Sequence, residues 1–120
     1  MTVKEVYALM GASYEDAMGL MRKDERIAKY MKMFLRDETF DKLRAAMEAD
    51  DMEAAFVGAH TLKGVCANLA FTRLQTLVSG MTEDLRHGRD IPHAKAVWPD
   101  VAAAYNETVQ LIRRYQAENP

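Results

Sequence analysis

The chain has 120 residues, 49% hydrophobic and 28% charged, with a formal net charge of -2 and only 6 glycines and 3 prolines. That is enough apolar material for one buried core without disulfides or a structural metal, and too ordinary a composition for a disordered chain. The charge balance offers no basic field to hold a nucleic acid, and no apolar run approaches the roughly 20 residues that span a bilayer.

Thr2-Val3-Lys4-Glu5 has the spacing of a capping box, and Ser13-Tyr14-Glu15-Asp16 is a similar start with a shorter acid. Two short helices are therefore predicted near 2–10 and 13–21. Asp24 is placed to cap a long helix at about 24–49, which carries Ile27, Met31, Phe34, Leu35, Leu43, Ala46 and Met47 inward and meets no Pro or Gly. Asp50-Asp51 leaves so short a connection that the next helix, about 52–69, must turn back antiparallel. Its positions Met52, Ala55, Ala59, Leu62, Cys66 and Leu69 follow steps of three and four and make a buried stripe.

Thr72-Arg73-Leu74-Gln75 has capping-box spacing again and starts a helix at about 72–87, with Leu74, Leu77, Val78, Met81 and Leu85 inward and His87-Gly88 as its end. A last helix, about 93–117, follows Asp90-Ile91-Pro92, and Pro99 predicts a kink or a fresh start because it removes a backbone donor and crowds the preceding turn. No segment alternates with period two between hairpin turns, so the domain reads as all-α. The expected architecture is an antiparallel up-down-up-down four-helix bundle, one domain over 1–120, with the short N-terminal helices packed across it.

His60-Thr61-Leu62-Lys63-Gly64 puts an imidazole, an ammonium and a missing side chain at i, i+3 and i+4, neighbours on a helix surface. His60 lies one residue from the inward Ala59 and shares its face with Phe56, Val57, Lys63, Gly64 and Ala67, so it should be at least partly exposed. A glycine inside a helix costs roughly 0.5–1 kcal/mol relative to alanine. Gly64 therefore needs a reason, either close approach by a partner or phosphoryl group, or tight helix packing; Gly58 points elsewhere and reads as packing. Phe56 and Val57 set apolar surface beside the imidazole, and Met33 and Phe40, out of step with the core stripe of the long helix, extend it. Most of the nine methionines fall at core spacing.

In Ala59-His60-Thr61-Leu62-Lys63-Gly64 and the helical segments around it, roughly Asp24 to Gly88, the sequence resembles the histidine-containing phosphotransfer (HPt) family of two-component phosphorelays. The resemblance implies that His60 is a phosphoacceptor, taking a phosphoryl group from a receiver-domain aspartate and passing it to another response regulator, with Lys63 stabilising phosphoryl charge and Gly64 giving steric access. It implies receiver domains and a sensor histidine kinase as partners, a magnesium ion on the receiver, and no cofactor of this chain's own. Two positions depart from or only approach the family pattern. Ala70 stands where a second glycine commonly ends the motif helix in a left-handed turn, and Thr82 lies near the place of a polar residue that assists the histidine.

The residues allow two other readings: an adaptor bundle that binds receiver or kinase domains without accepting phosphate, and a phosphatase that drains a receiver through His60. No Gly-rich Lys-Ser/Thr loop is present, so autokinase activity is not expected. His60, Cys66, His87 and His93 have no familiar zinc spacing. Met1 to Gly11 lacks the apolar block of a secretory signal, and the single cysteine, Cys66, suits a reducing compartment, so a cytoplasmic protein is expected, with a monomer as the default state.

Overall fold

Side-chain oxygens open four of the helices, two of them, Thr2 and Ser13, at the capping spacings read from the sequence. In the computed structural model, which describes residues 1–120, Thr2 and Glu5 close a reciprocal capping box on α1 (Val3–Met10), and Ser13 caps α2 (Tyr14–Met21). Asp51 caps α5 (Met52–Leu69) by accepting the Ala54 amide, and Asp90 caps α7 (Ile91–Glu118) by accepting that of His93. Between them lie α3 (Asp24–Phe34), α4 (Thr39–Glu48) and α6 (Thr72–Leu85), the last followed by a short 3-10 turn at Arg86–Gly88. There are no strands.

The single long helix expected at 24–49 is instead α3 and α4, broken at 35–38. Six residues at about 100° each would leave Phe34 and Phe40 roughly 120° apart on an unbroken helix, too far for both to enter one core. The break lets both in: Phe34 is edge-on to Phe71 at 5.1 Å, and Phe40 is stacked between Trp98 and Tyr105. Asp37 holds the turn, its Oδ1 accepting the Thr39 amide at 2.8 Å, the way an aspartate closes a turn on its own backbone two residues on. Asp24 is not the cap of α3; its carboxylate accepts the Tyr14 hydroxyl at 2.7 Å.

One further expectation changes, and of the two outcomes expected at Pro99 the fresh start is removed. Thr72 does not cap α6, because its hydroxyl donates to the Gly11 carbonyl at 3.0 Å. α7 runs through Pro99 without restarting, since Ala94 and Val101 are buried on either side and Trp98 stacks on Phe40, so one core grips both halves.

α5 packs against α4 on one flank and α6 on the other, α6 against α7, and α1 against α7. Lys95 of α7 reaches back to Asp50 in the α4–α5 turn at 2.7 Å. At the other end of α5 the α1–α2 junction grips the α5–α6 turn: Tyr7 donates its hydroxyl to the Leu69 carbonyl at 2.7 Å, Ser13 its amide to Ala70 and Arg73 its amide to Gly11. These bonds hold Ala70 left-handed at φ 57°, a conformation that glycine adopts more readily than alanine.

Candidate functional site

The centre of α5 follows from which residues it buries. Ala55, Gly58, Ala59, Leu62, Cys66 and Leu69 face the core, so His60, one step round from Ala59, faces outward and is exposed. Gly58 is there for packing: a Cβ built on it would lie 3.2 Å from the Cα and Cβ of Leu43 on α4. Gly64 is different, since a Cβ there would meet nothing within 4 Å. Helix packing therefore does not explain Gly64, and the open space lies one turn beyond His60 on the same strip.

Around the imidazole the α5 surface is mixed. Phe56 is half-buried, its ring 5.8 Å from that of His60 and tilted only 12° from parallel. Val57 is 59% exposed. Lys63 and Ala67 are half-buried, and Lys63 forms no ion pair, although its charge reaches Glu83 on α6. Of the nine methionines only Met33 is exposed, at 52%; it lines a groove with Tyr30, Arg36, Asp37, Val65 and Asn68, against the C-terminal half of α5. An outward imidazole, an unpaired ammonium, a clear space and apolar flanks suit reversible carriage of a phosphoryl group from a docked partner.

A family model described as the Hpt domain matches residues 29–115, well over half of the chain. The chain belongs to the Hpt domain family. Hpt domains serve phosphotransfer in two-component signalling and engage its receiver and kinase proteins. Comparisons with curated proteins and with solved structures gave no match.

Within this Hpt domain the structure corrects two site residues. Phe40 cannot extend a docking surface, because the break between α3 and α4 turns it inward to 1% exposure. Thr82 is at 0%, and its Oγ1 donates to the Val78 carbonyl at 2.7 Å, so it has no outward group to offer a phosphoryl on His60. Polar groups presented on this side include Glu83 of α6 and Arg86 of the 3-10 turn that follows it. Arg86 donates from Nε and from a terminal nitrogen to the two Glu83 carboxylate oxygens at 3.3 and 3.2 Å, and its guanidinium carbon lies 5.0 Å from the centre of the Phe56 ring. Those bonds, with the charges of Arg86, Arg89 and Lys63, hold the Glu83 carboxyl below the usual range. The i,i+3 spacing of Glu83 and Arg86 marks an ion pair in the sequence. Nothing in the sequence sets that pair beside Phe56.

Other titratable groups stand apart from this chemistry. Burial pushes the Cys66 thiol up to about 12, so it is inert packing. At the α6–α7 junction Asp84, Asp90 and His93 bring three possible metal-ligand atoms within 4.8 Å of one another, a grouping that histidine and cysteine spacing alone does not reveal. There Asp84 already pairs with the His93 ring and Asp90 Oδ1 accepts the His93 amide as the cap of α7. No helix is long and apolar enough to cross a membrane.

Proposed function

We propose that this Hpt domain is a phosphoryl carrier whose acceptor is His60. A ring nitrogen of His60 attacks the phosphorus of a receiver's aspartyl phosphate; the nitrogen–phosphorus bond forms as the aspartate oxygen–phosphorus bond breaks, and the carboxylate leaves. The reverse step, onto the aspartate of a second response regulator, regenerates the imidazole. Lys63 offsets the charge of the phosphoryl oxygens, and Gly64 leaves the space in which the receiver's loop and the transferring group meet. Val57, Ala67, Met33 and the exposed edge of Phe56 supply the apolar rim for docking. The catalytic metal, magnesium, belongs to the receiver, and the domain has no cofactor and no autokinase activity. A sensor histidine kinase feeds the relay. The domain works as a cytoplasmic monomer, its helices closed as an antiparallel up-down four-helix bundle. The serial packing of α4 on α5, α5 on α6 and α6 on α7, with the Phe40 stack joining α4 to α7, supports that arrangement.

The single observation that carries the reading is the exposed His60 with an unpaired Lys63 and an unobstructed Gly64 on one strip of α5. Incubation with a phosphorylated receiver tests it. Acid-labile, base-stable label should appear on the wild type and be absent from His60→Gln, whose helicity is unchanged. Stable binding without label would replace the carrier with an adaptor, and steady release of free phosphate with turnover would replace it with a phosphatase.

A further inference from the structure

Phe56 occupies the turn before His60, and helical side chains lean toward the helix N-terminus, so the imidazole leans over the phenyl ring. The 5.8 Å separation and 12° tilt are those of an offset stack rather than a chance approach. Phe56 is in turn gripped from the turn that ends α6. The Arg86 guanidinium carbon lies 5.0 Å from its centre, and Arg86 is held by two hydrogen bonds to Glu83 at 3.3 and 3.2 Å. A line of contacts thus runs from Glu83 through Arg86 and Phe56 to His60, tying the orientation of one ring on α5 to the neighbouring helix.

An exposed histidine needs such a tie if it is to react in line. Its second side-chain torsion is soft, with a broad twofold profile, so an unsupported imidazole turns its two nitrogens through many directions. Misplacing a reacting atom by about 1 Å can cost a hundredfold in rate. We propose that Phe56 is a positioning residue that fixes the plane of the His60 ring and so the direction in which its reactive nitrogen meets the incoming phosphorus, with Arg86 holding Phe56 in place. The functional half of this proposal rests on His60 being the phosphoacceptor; the orientation of the ring does not.

The test separates the two. Nitrogen NMR on histidine-labelled protein reads the line shape and relaxation of the His60 ring without any phosphate present. Phosphoramidate then serves as a partner-free donor: its nitrogen–phosphorus bond breaks, ammonia leaves, and a bond from phosphorus to the ring nitrogen forms, followed by phosphorus NMR. In Phe56→Leu the ring signal should broaden, the order of the ring fall, and phosphorylation slow about three- to tenfold, the range that the loss of one aromatic pair gives. Phe56→Tyr, which keeps the ring, should restore both readouts, and Arg86→Gln should move both in the same direction by less. If Phe56→Leu loses its helical signal, Phe56→Met takes its place with the same expectations. Unaltered ring relaxation and rate in the ring-less variant would overturn the proposal. A wild type that never takes phosphate from phosphoramidate or from a receiver would end the phosphoacceptor reading, leaving the NMR comparison of Leu and Tyr to decide the positioning claim on its own.

Discussion

Two glycines six residues apart on α5 should answer the same substitution with opposite signs. Gly→Ala in a helix interior is worth about 0.8–1 kcal/mol by propensity alone. At Gly64 nothing opposes it, since the new Cβ meets no atom within 4 Å, so Gly64→Ala should stabilise the domain by about 0.5–1 kcal/mol. At Gly58 the Cβ would come within 3.2 Å of Leu43 Cα and 3.4 Å of its amide nitrogen, atoms of the α4 backbone that cannot rotate away. Overpacking of that kind costs about 1–3 kcal/mol, so Gly58→Ala should end near neutral or up to about 2 kcal/mol destabilised. The propensity gain cancels between the variants, and their difference, about 1–3 kcal/mol, measures the α4–α5 contact alone. Urea unfolding followed by circular dichroism gives each value, provided the slope of free energy against urea stays that of the wild type. The stabler Gly64→Ala should nonetheless transfer phosphate more slowly, because its methyl enters the space beside His60. Equal stabilisation by both substitutions would refute the close approach of α4 to α5, and a destabilised Gly64→Ala would refute the open space at that turn.

Lys63→Ala should slow transfer from a phosphorylated receiver about tenfold without changing helicity, less than the hundredfold or more that a lost donor costs in a water-excluded site, because solvent screens this half-exposed group; a rate equal to the wild type at low salt would remove Lys63 from the mechanism. The hydrogen bond and charge of Asp84 raise the His93 ring above its ordinary 6.5, so the stability this pair confers is complete below that value and disappears as pH climbs through the higher folded one. The melting-temperature gap between wild type and His93→Gln should accordingly narrow as pH rises, and a gap that widens would contradict the pairing. Ala70→Gly relieves a left-handed alanine, worth about 1–2 kcal/mol, but gives back about 0.5–1 kcal/mol in chain entropy and about 0.8 kcal/mol for one buried methyl. Its unfolding free energy should stay within about 1 kcal/mol of the wild type, and a gain of twice that would mean the turn at Leu69-Ala70-Phe71 is strained beyond its φ.

Local chemistry alone determined much of this molecule. The period of apolar residues decided that every element is a helix, the spacings of Thr2 with Glu5 and of Ser13 with Asp16 decided where two helices begin, and the step from Ala59 to His60 decided which way the imidazole faces. Such features act within one turn of chain, so a linear reading reaches them. Thr72, Phe40 and Thr82 were beyond that reach for one common reason: each is claimed by a distant segment. Gly11 takes the Thr72 hydroxyl, the rings of Trp98 and Tyr105 draw Phe40 inward and break the long helix behind it, and the packing of α6 against its neighbours covers Thr82. The Arg86 contact with Phe56 belongs to the same class, since only the pairing of α5 with α6 brings the end of one helix to the first turns of the other. Sequence spacing sets what a residue does to its own helix; burial by another helix sets whether it is left free to do anything else.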